Sequence, residues 1–371
     1  MYTQSSDLEI SLLGVEYALQ TKGLLESSNS LTKMQLQDFK EKYGREIYDF
    51  YSETAIGAEL GCGSVATINS CKGLPMVKKI FCLPIVEDPR KIFSKCDKIK
   101  NDIIKITKEK VIVDLYAANR QGIYMEKLNK TWKQMIDYRK KKLANGEISL
   151  NEARLITLGE ISSILKKIGL LHKAGYVHLD FHDDNIMSTN EGDMLIIDMD
   201  FAMKFGQVLT DCKEVSLERF YKKDLKFKFS EGENPKARPH LDLFRFRRGI
   251  TARLGLLISE EYKKCISQIF DVNICLLHKI TLIDFKKEKS EEELYKLLPL
   301  EYKHKIEAIY KSKEYSPEQK LEKIYFSILE KVYMQIELTN KTYRVELYKE
   351  KMLNKPKRDS ENLTQLLISK I

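Results

Sequence analysis

Apolar residues recur at helical spacing early in the chain, at Leu36, Phe39, Tyr43, Ile47 and Phe50. This spacing predicts a helix with one face made for docking. Beyond Glu53 the pattern shortens, and residues 59–69, 76–82, 111–117 and 123–126 read as strands separated by turns containing glycine. One helix interrupts them. Asp88 can cap it, and Pro89 suits a first turn that has no use for its N–H. Ile92, Cys96, Ile99, Ile103 and Ile106 form its apolar stripe. After Glu126 helical periodicity dominates. Ser149 with Glu152 makes a capping-box pair, opening a long helix with Leu158, Ile161, Leu165 and Ile168 on its inner face. Gly175 stands where a left-handed C-cap would end that helix. Ser316 and Gln319, with Pro317 between them, open a late helix expected to run to about Leu338. The patterning predicts an α+β chain, with a small β-rich part, a larger helical part and helical additions at both ends. Its boundaries fall at 1–52, 53–126, 127–300 and 301–371.

Two stretches carry a density of functional groups that packing does not require. The first is Val177-His178-Leu179-Asp180-Phe181-His182-Asp183-Asp184-Asn185. After a turn at 190–193, apolar residues 194–197 then run into Asp198-Met199-Asp200. Phosphoryl transfer needs divalent cations held by oxygen ligands and an acceptor hydroxyl oriented by a carboxylate. An Asp, an Asn five residues later and an Asp thirteen residues beyond that can supply those parts. The same residues also describe a polar loop between a helix and a hairpin.

The stretch resembles the catalytic loop and metal-binding strand of the protein-kinase superfamily, H-R-D-x-x-x-x-N followed by D-F-G. The resemblance implies a bilobal protein-kinase-like fold, a small β-rich lobe followed by a large α-helical one. It also implies ATP with Mg²⁺ or Mn²⁺, Asp180 as catalytic base, and Asn185 and Asp198 as metal ligands. Upstream, Glu59-Leu60-Gly61-Cys62-Gly63-Ser64-Val65-Ala66-Thr67 looks like the family's Gly-rich loop, with Ala66 at the third glycine position. Gly61, Gly63 and Ser64 would then approach the phosphates, because glycine lets backbone come close without a Cβ. Met76-Val77-Lys78-Lys79-Ile80 resembles the V-A-I-K strand. Alternation puts Met76, Lys78 and Ile80 on one face, making Lys78 the expected phosphate-binding lysine and Lys79 its outward neighbour. The family pairs that lysine with a helix acid, for which Asp97 stands nineteen residues on, with Asp102 as its rival. Gly122-Ile123-Tyr124-Met125-Glu126-Lys127-Leu128 is similar to the hinge strand. Met125 would be its gatekeeper, and the backbone of Glu126 to Leu128 would receive adenine. Pro239-His240-Leu241-Asp242-Leu243-Phe244-Arg245-Phe246 resembles the start of the family's central helix, whose Asp242 would hold the catalytic loop by backbone hydrogen bonds.

The departures narrow the expectation. Leu179 occupies the place of the Arg that answers an activation-segment phosphate, so control by phosphorylation there is not expected. His182 replaces a Lys, as in choline and aminoglycoside phosphotransferases. Asp200 replaces the Gly of D-F-G, where it would tolerate unusual backbone angles or add a carboxylate to the metal site. Together these features resemble divergent kinases among bacterial effector proteins. The implied activity is transfer of the γ-phosphoryl group of ATP to Ser or Thr of a protein. A small-molecule or lipid acceptor, nucleotidyl transfer on the same fold and a pseudokinase scaffold remain open alternatives.

Composition adds limits. No apolar run approaches the eighteen residues of a membrane helix, and the first residues lack a secretory pattern. Seven scattered cysteines without C-x-x-C predict reduced thiols and a cytoplasmic setting, a host cell's if the effector likeness holds, with peripheral membrane contact open. The six histidines lack zinc-ligand spacing. The net charge of +9 is finely interleaved, which predicts a solvated surface, and no motif points to nucleic acid as a partner. Denser basic character at 213–228, with Lys213, Arg219, Lys222, Lys223, Lys226 and Lys228, reads as a solvated loop or a polyanion site. Such a site would suit an acidic protein substrate, a phosphoinositide headgroup or an inositol polyphosphate.

Overall fold

The computed structural model describes residues 56–62, 66–71, 76–81, 88–119, 122–208, 236–287 and 289–353. The N-terminal extension 1–52, Gly63, Ser64 and the basic segment 213–228 lie outside the described residues. The chain is mixed α+β and divides into two compact units. The first holds the described residues up to Asn129 together with Thr189–Glu191 and Leu195–Asp200. The second holds Lys130–Ser188, Gly192–Met194 and the described residues from Phe201 onward, so the helices after residue 300 belong to it.

Among the described residues, the first unit is a five-stranded antiparallel sheet with one helix. Its strands are β1 (Ile56–Cys62), β2 (Ala66–Cys71), β3 (Met76–Phe81), β4 (Leu115–Asn119) and β5 (Gly122–Glu126). They lie in the order β1-β2-β3-β5-β4, with helix α1 (Pro89–Thr107) between β3 and β4. The β3 strand is central, with Lys78 opposite Asn69 on one side and Tyr124 on the other. Gly122 permits that pairing, since a Cβ there would lie 2.0 Å from the Lys79 carbonyl oxygen. Asp88 caps α1 by accepting from the Arg90 N–H, and Lys108 closes it in the left-handed region. Ile92, Cys96, Ile99 and Ile103 are buried, whereas Ile106, read as the end of the stripe, is exposed. Residues 111–113 were expected inside a strand but precede β4. There they bond the 195–196 segment, from Ile196 N to Val111 O at 3.0 Å and from Val113 N to Ile196 O at 3.2 Å. This bridge anchors the segment that carries Asp198.

The second unit is mainly helical. It contains α2 (Trp132–Ala144) and α3 (Leu150–Lys173), then β6 (Tyr176–Val177), and β9 (Met203–Lys204) pairs with β6. Between them the short strands β7 (Ile186–Ser188) and β8 (Met194–Ile196) flank a turn. The remaining helices are α4 (Pro239–Arg253), α5 (Glu260–Thr281), α6 (Ser290–Leu297), α7 (Leu300–Lys311) and α8 (Pro317–Leu353). The inner face predicted for α3 is its buried face, and Gly175 takes the left-handed conformation after it, at φ 82°. Helix α8 runs past Leu338 to Leu353, because no Gly or Pro lies between Pro317 and Leu353 to stop it and it packs on α3 and α5. Buried Asn340 ties three helices, bonding the Tyr262 hydroxyl on α5 and the Ser162 hydroxyl on α3. Among the described residues no helix is long and apolar enough to cross a membrane.

Candidate functional site

In the second unit, helix α4 holds the loop that follows β6. Asp242 is 0% exposed. Its Oδ2 accepts from the His178 N–H at 2.7 Å and its Oδ1 from the Leu179 N–H at 2.8 Å. These are the backbone bonds expected of it. His172 Nε2 lies 2.9 Å from the same carboxylate, and the Tyr333 hydroxyl lies 2.6 Å from His172 Nδ1. Leu179 is held at φ 68°, a left-handed conformation costing a non-glycine residue about 1–2 kcal/mol. Its side chain is buried in an apolar cluster with Val177, Met203, Ala237 and Leu241. An apolar residue therefore suits this position, where the kinase pattern carries Arg. One turn along α4, Phe246 packs between Phe181 and Trp132. Arg245 forms an ion pair with Asp180. Asp242, Arg245 and Phe246 thus use the i, i+3 and i+4 positions of one helix face to grip residues 178–181.

The other Asp180 carboxylate oxygen is met from within its own loop. Asn185 Nδ2 donates to the Asp180 carbonyl at 3.0 Å and to its Oδ2 at 3.1 Å, and His182 Nε2 lies 3.5 Å from that oxygen. Burial favours the neutral acid, but the His182 hydrogen bond and the Arg245 charge outweigh it. They hold the carboxyl well below the usual range. Asp180 is accordingly an ionised acceptor, suited to orienting a hydroxyl. Because the Asn185 amide NH₂ is committed to Asp180, its Oδ1 is the atom left to face a cation. His182, Asp183 and Asp184 bring donor atoms within 4.8 Å of one another, but they act in the loop's own framework. Asp183 lies 2.7 Å from Arg253, Asp184 lies 2.8 Å from Lys133, and His182 Nδ1 accepts from the Asp184 N–H.

In the first unit the acids meet the second lysine of β3. Lys79 Nζ lies 2.7 Å from Asp198 Oδ1 and 2.6 Å from Asp200 Oδ2. Asp198 has φ 59°, and a 3₁₀ turn at Met199–Phe201 follows it. Besides the helix cap Lys108, positive φ at non-glycine residues occurs at Leu179, next to the expected catalytic base, and at Asp198, an expected metal ligand. Burial disfavours the Lys79 ammonium, yet the two carboxylates hold it above its usual range. Burial pushes the Asp200 carboxyl up to about 6, with Lys79 opposing and Asp198 adding to the rise. A second ammonium, Lys95 Nζ, stands 2.6 Å from the Asp200 backbone carbonyl, so two lysines face the two carboxylates. Within this unit Asp198 and Asp200 offer oxygen donors of the kind Mg²⁺ and Mn²⁺ take.

The lysine assignment differs from expectation. Lys78, expected to bind phosphate, is 1% exposed and lies over the Tyr124 ring at 5.2 Å. Alternation does put the two lysines on opposite faces. Both are buried, and what separates them is their partners, because the face shared by Val77, Lys79 and Phe81 is the one that meets Asp198 and Asp200. Asp97 does not pair with either lysine. Its partners are Lys100 at 3.3 Å and Asn101 at 3.0 Å on its own helix. Asp97 and its rival Asp102 line a cavity of about 480 Å³ with Arg90 and Lys98. The inward residue of that turn is Cys96, one position away and so about 100° round the helix.

The other expected cofactor residues sit as follows. Met125 is half-buried in β5, opposite Val77 and Leu115. Glu126 commits its N–H to the Asp114 carbonyl at 2.9 Å and its carboxylate to Lys110 at 2.8 Å, and Leu128 is buried. Gly61 lies in β1 with open space where a Cβ would stand. The pairing of Arg245 with Asp180 and of Asp200 with Lys79 were not foreseen. The one advance signal given above was an Asp at a position where the motif carries Gly. No protein-family model and no curated protein matches the chain.

Proposed function

We propose that the chain is an ATP-dependent phosphotransferase on an atypical kinase-like fold. Its acceptor is a Ser or Thr hydroxyl of a protein, which receives the γ-phosphoryl group. The observation that carries this reading is the Lys79–Asp198 ion pair, which joins residues 119 positions apart. It unites a strand lysine with the acid that the resemblance assigns to metal. The order of sheet, single inserted helix and hinge-like strand in the first unit supports reading that unit as the smaller lobe. The Asp242 bonds to residues 178 and 179 support reading α4 as the helix that carries the catalytic loop.

ATP supplies the transferable group, and a divalent cation neutralises its phosphates. Lys79 would hold the phosphates, Asp198 and Asn185 would be oxygen ligands for the cation, and Asp180 would accept a hydrogen bond from the acceptor hydroxyl. With its carboxyl held low, Asp180 orients that hydroxyl and takes its proton only as transfer proceeds. A protein acceptor is favoured by the long stretch between Asp198 and Asp242 with its basic segment 213–228, where a polyanion would also bind.

The test incubates the protein with Mg²⁺ or Mn²⁺, a protein acceptor and ATP labelled at the α or γ phosphate. Label from γ on Ser or Thr, lost in Asp198→Ala, is the expected result. Label from α assigns nucleotidyl transfer instead. Transfer from neither position with either metal overturns the activity.

A further inference from the structure

We propose that Asp200 is the positioning residue for Lys79, so that the lysine is set by the segment carrying Asp198 and not by an acid of helix α1. The functional consequence rests on the phosphotransferase reading, but the pairing itself stands on geometry. Lys79 Nζ reaches Asp198 at 2.7 Å and Asp200 at 2.6 Å. The left-handed turn at Asp198 and the 3₁₀ turn after it bring carboxylates two residues apart onto one ammonium.

Helix α1 does not compete for this role. It turns buried Cys96 inward, and its Asp97 is spent on Lys100 and Asn101. The helix sends a cation instead. Lys95 Nζ donates to the Asp200 backbone carbonyl at 2.6 Å. The helix therefore donates a hydrogen bond to the segment, and the segment gives a carboxylate to the lysine.

The arrangement divides labour between two acids. A nearly buried ammonium needs a partner at all times. If Asp198 were the sole partner, its engagement with a cation would weaken the lysine's hold. Asp200 keeps the lysine in place while Asp198 serves the cation. It follows that withdrawing α1 removes no acid from Lys79, and acts on the site only through the Lys95 bond to the Asp200 carbonyl.

Two readouts test the assignment, one of them independent of nucleotide. Acylation of the Lys79 amine by an N-hydroxysuccinimide ester is followed by mass spectrometry of the full chain. Asp200→Asn is expected to speed it by about tenfold, the loss of one charge-assisted bond, while Asp200→Glu and Asp97→Asn stay within about threefold of the parent protein. In the second readout, Asp200→Asn weakens ATP binding measured in EDTA by about tenfold, and Asp97→Asn leaves it unchanged. Parent-like acylation in Asp200→Asn overturns the proposal, as does acylation in Asp200→Glu as fast as in the Asn variant. An altered Mg²⁺ requirement alone, with acylation and metal-free binding intact, makes Asp200 a metal ligand and also overturns it. A parent protein that binds no ATP, yet shows the expected acylation pattern, sinks the phosphotransferase reading and leaves the pairing standing.

Discussion

Replacing Asp242 by Ala would remove the carboxylate that accepts the His178 and Leu179 N–H groups at a fully buried position. Hydrogen bonds to a charged acceptor contribute about 1.5–3 kcal/mol each, so the two bonds together represent about 3–6 kcal/mol. Freed from Asp242, Leu179 can relax from φ 68°, recovering about 1–2 kcal/mol. The expected net loss is about 3 kcal/mol, more than a hundredfold in the folding equilibrium. The chain has a single tryptophan, Trp132, buried against Phe246 of the same helix that carries Asp242. Its fluorescence in a urea titration therefore reports on the affected unit. With a slope of about 2–3 kcal/mol/M, the midpoint should fall by about 1 M. Asp242→Asn, which keeps one acceptor but sets an amide NH₂ against a backbone N–H, should lose at least half as much. A shift below about 0.3 M in both variants would show that the loop does not depend on this carboxylate.

Three further outcomes follow from the same geometry. Lys79→Met should reduce phosphoryl transfer by at least about a hundredfold, as expected for loss of a charge contact to the transferring group, while Lys78→Met stays within about threefold. The opposite ranking in a steady-state assay would return the assignment to Lys78. His240 is fully buried against the Tyr325 hydroxyl, and burial, with the charges of His278 and Arg238, holds its pKa well below the ordinary value. The unfolded chain takes up a proton below about pH 6.5 that the folded chain refuses, so stability falls on acidification by about 1.4 kcal/mol per pH unit for this group. His240→Gln should flatten the dependence by one proton in urea melts at pH 7.5 and 5.5, and an unchanged slope would refute the buried neutral state. Burial pushes the Cys71 thiol up to about 11, whereas Cys62 and Cys275 are exposed. Iodoacetamide at pH 8 should label the two exposed cysteines first by mass mapping, and equal labelling of Cys71 would contradict its burial.

What the sequence determined alone lies within the reach of a few residues. Asp88 and Ser149 open their helices as caps, Gly175 takes the left-handed turn, and the inner faces of α1 and α3 follow their 3.6-residue period. The α+β division was legible for the same reason. Asp242 was placed only through the resemblance, since the His178 and Leu179 N–H groups it accepts from lie 64 and 63 positions away. Tertiary structure alone decided which lysine meets the acids. Alternation assigns Lys78 and Lys79 to opposite faces of β3 but carries no record of which face meets the acids. One step of helix phase likewise separates Asp97, spent on its own helix, from the inward Cys96. The partnerships of Arg245 with Asp180 and of Lys79 with Asp198 and Asp200 join residues 65 to 121 positions apart. Contacts at that separation arise from how the chain closes on itself, and a periodicity read over a few turns contains no term for closure.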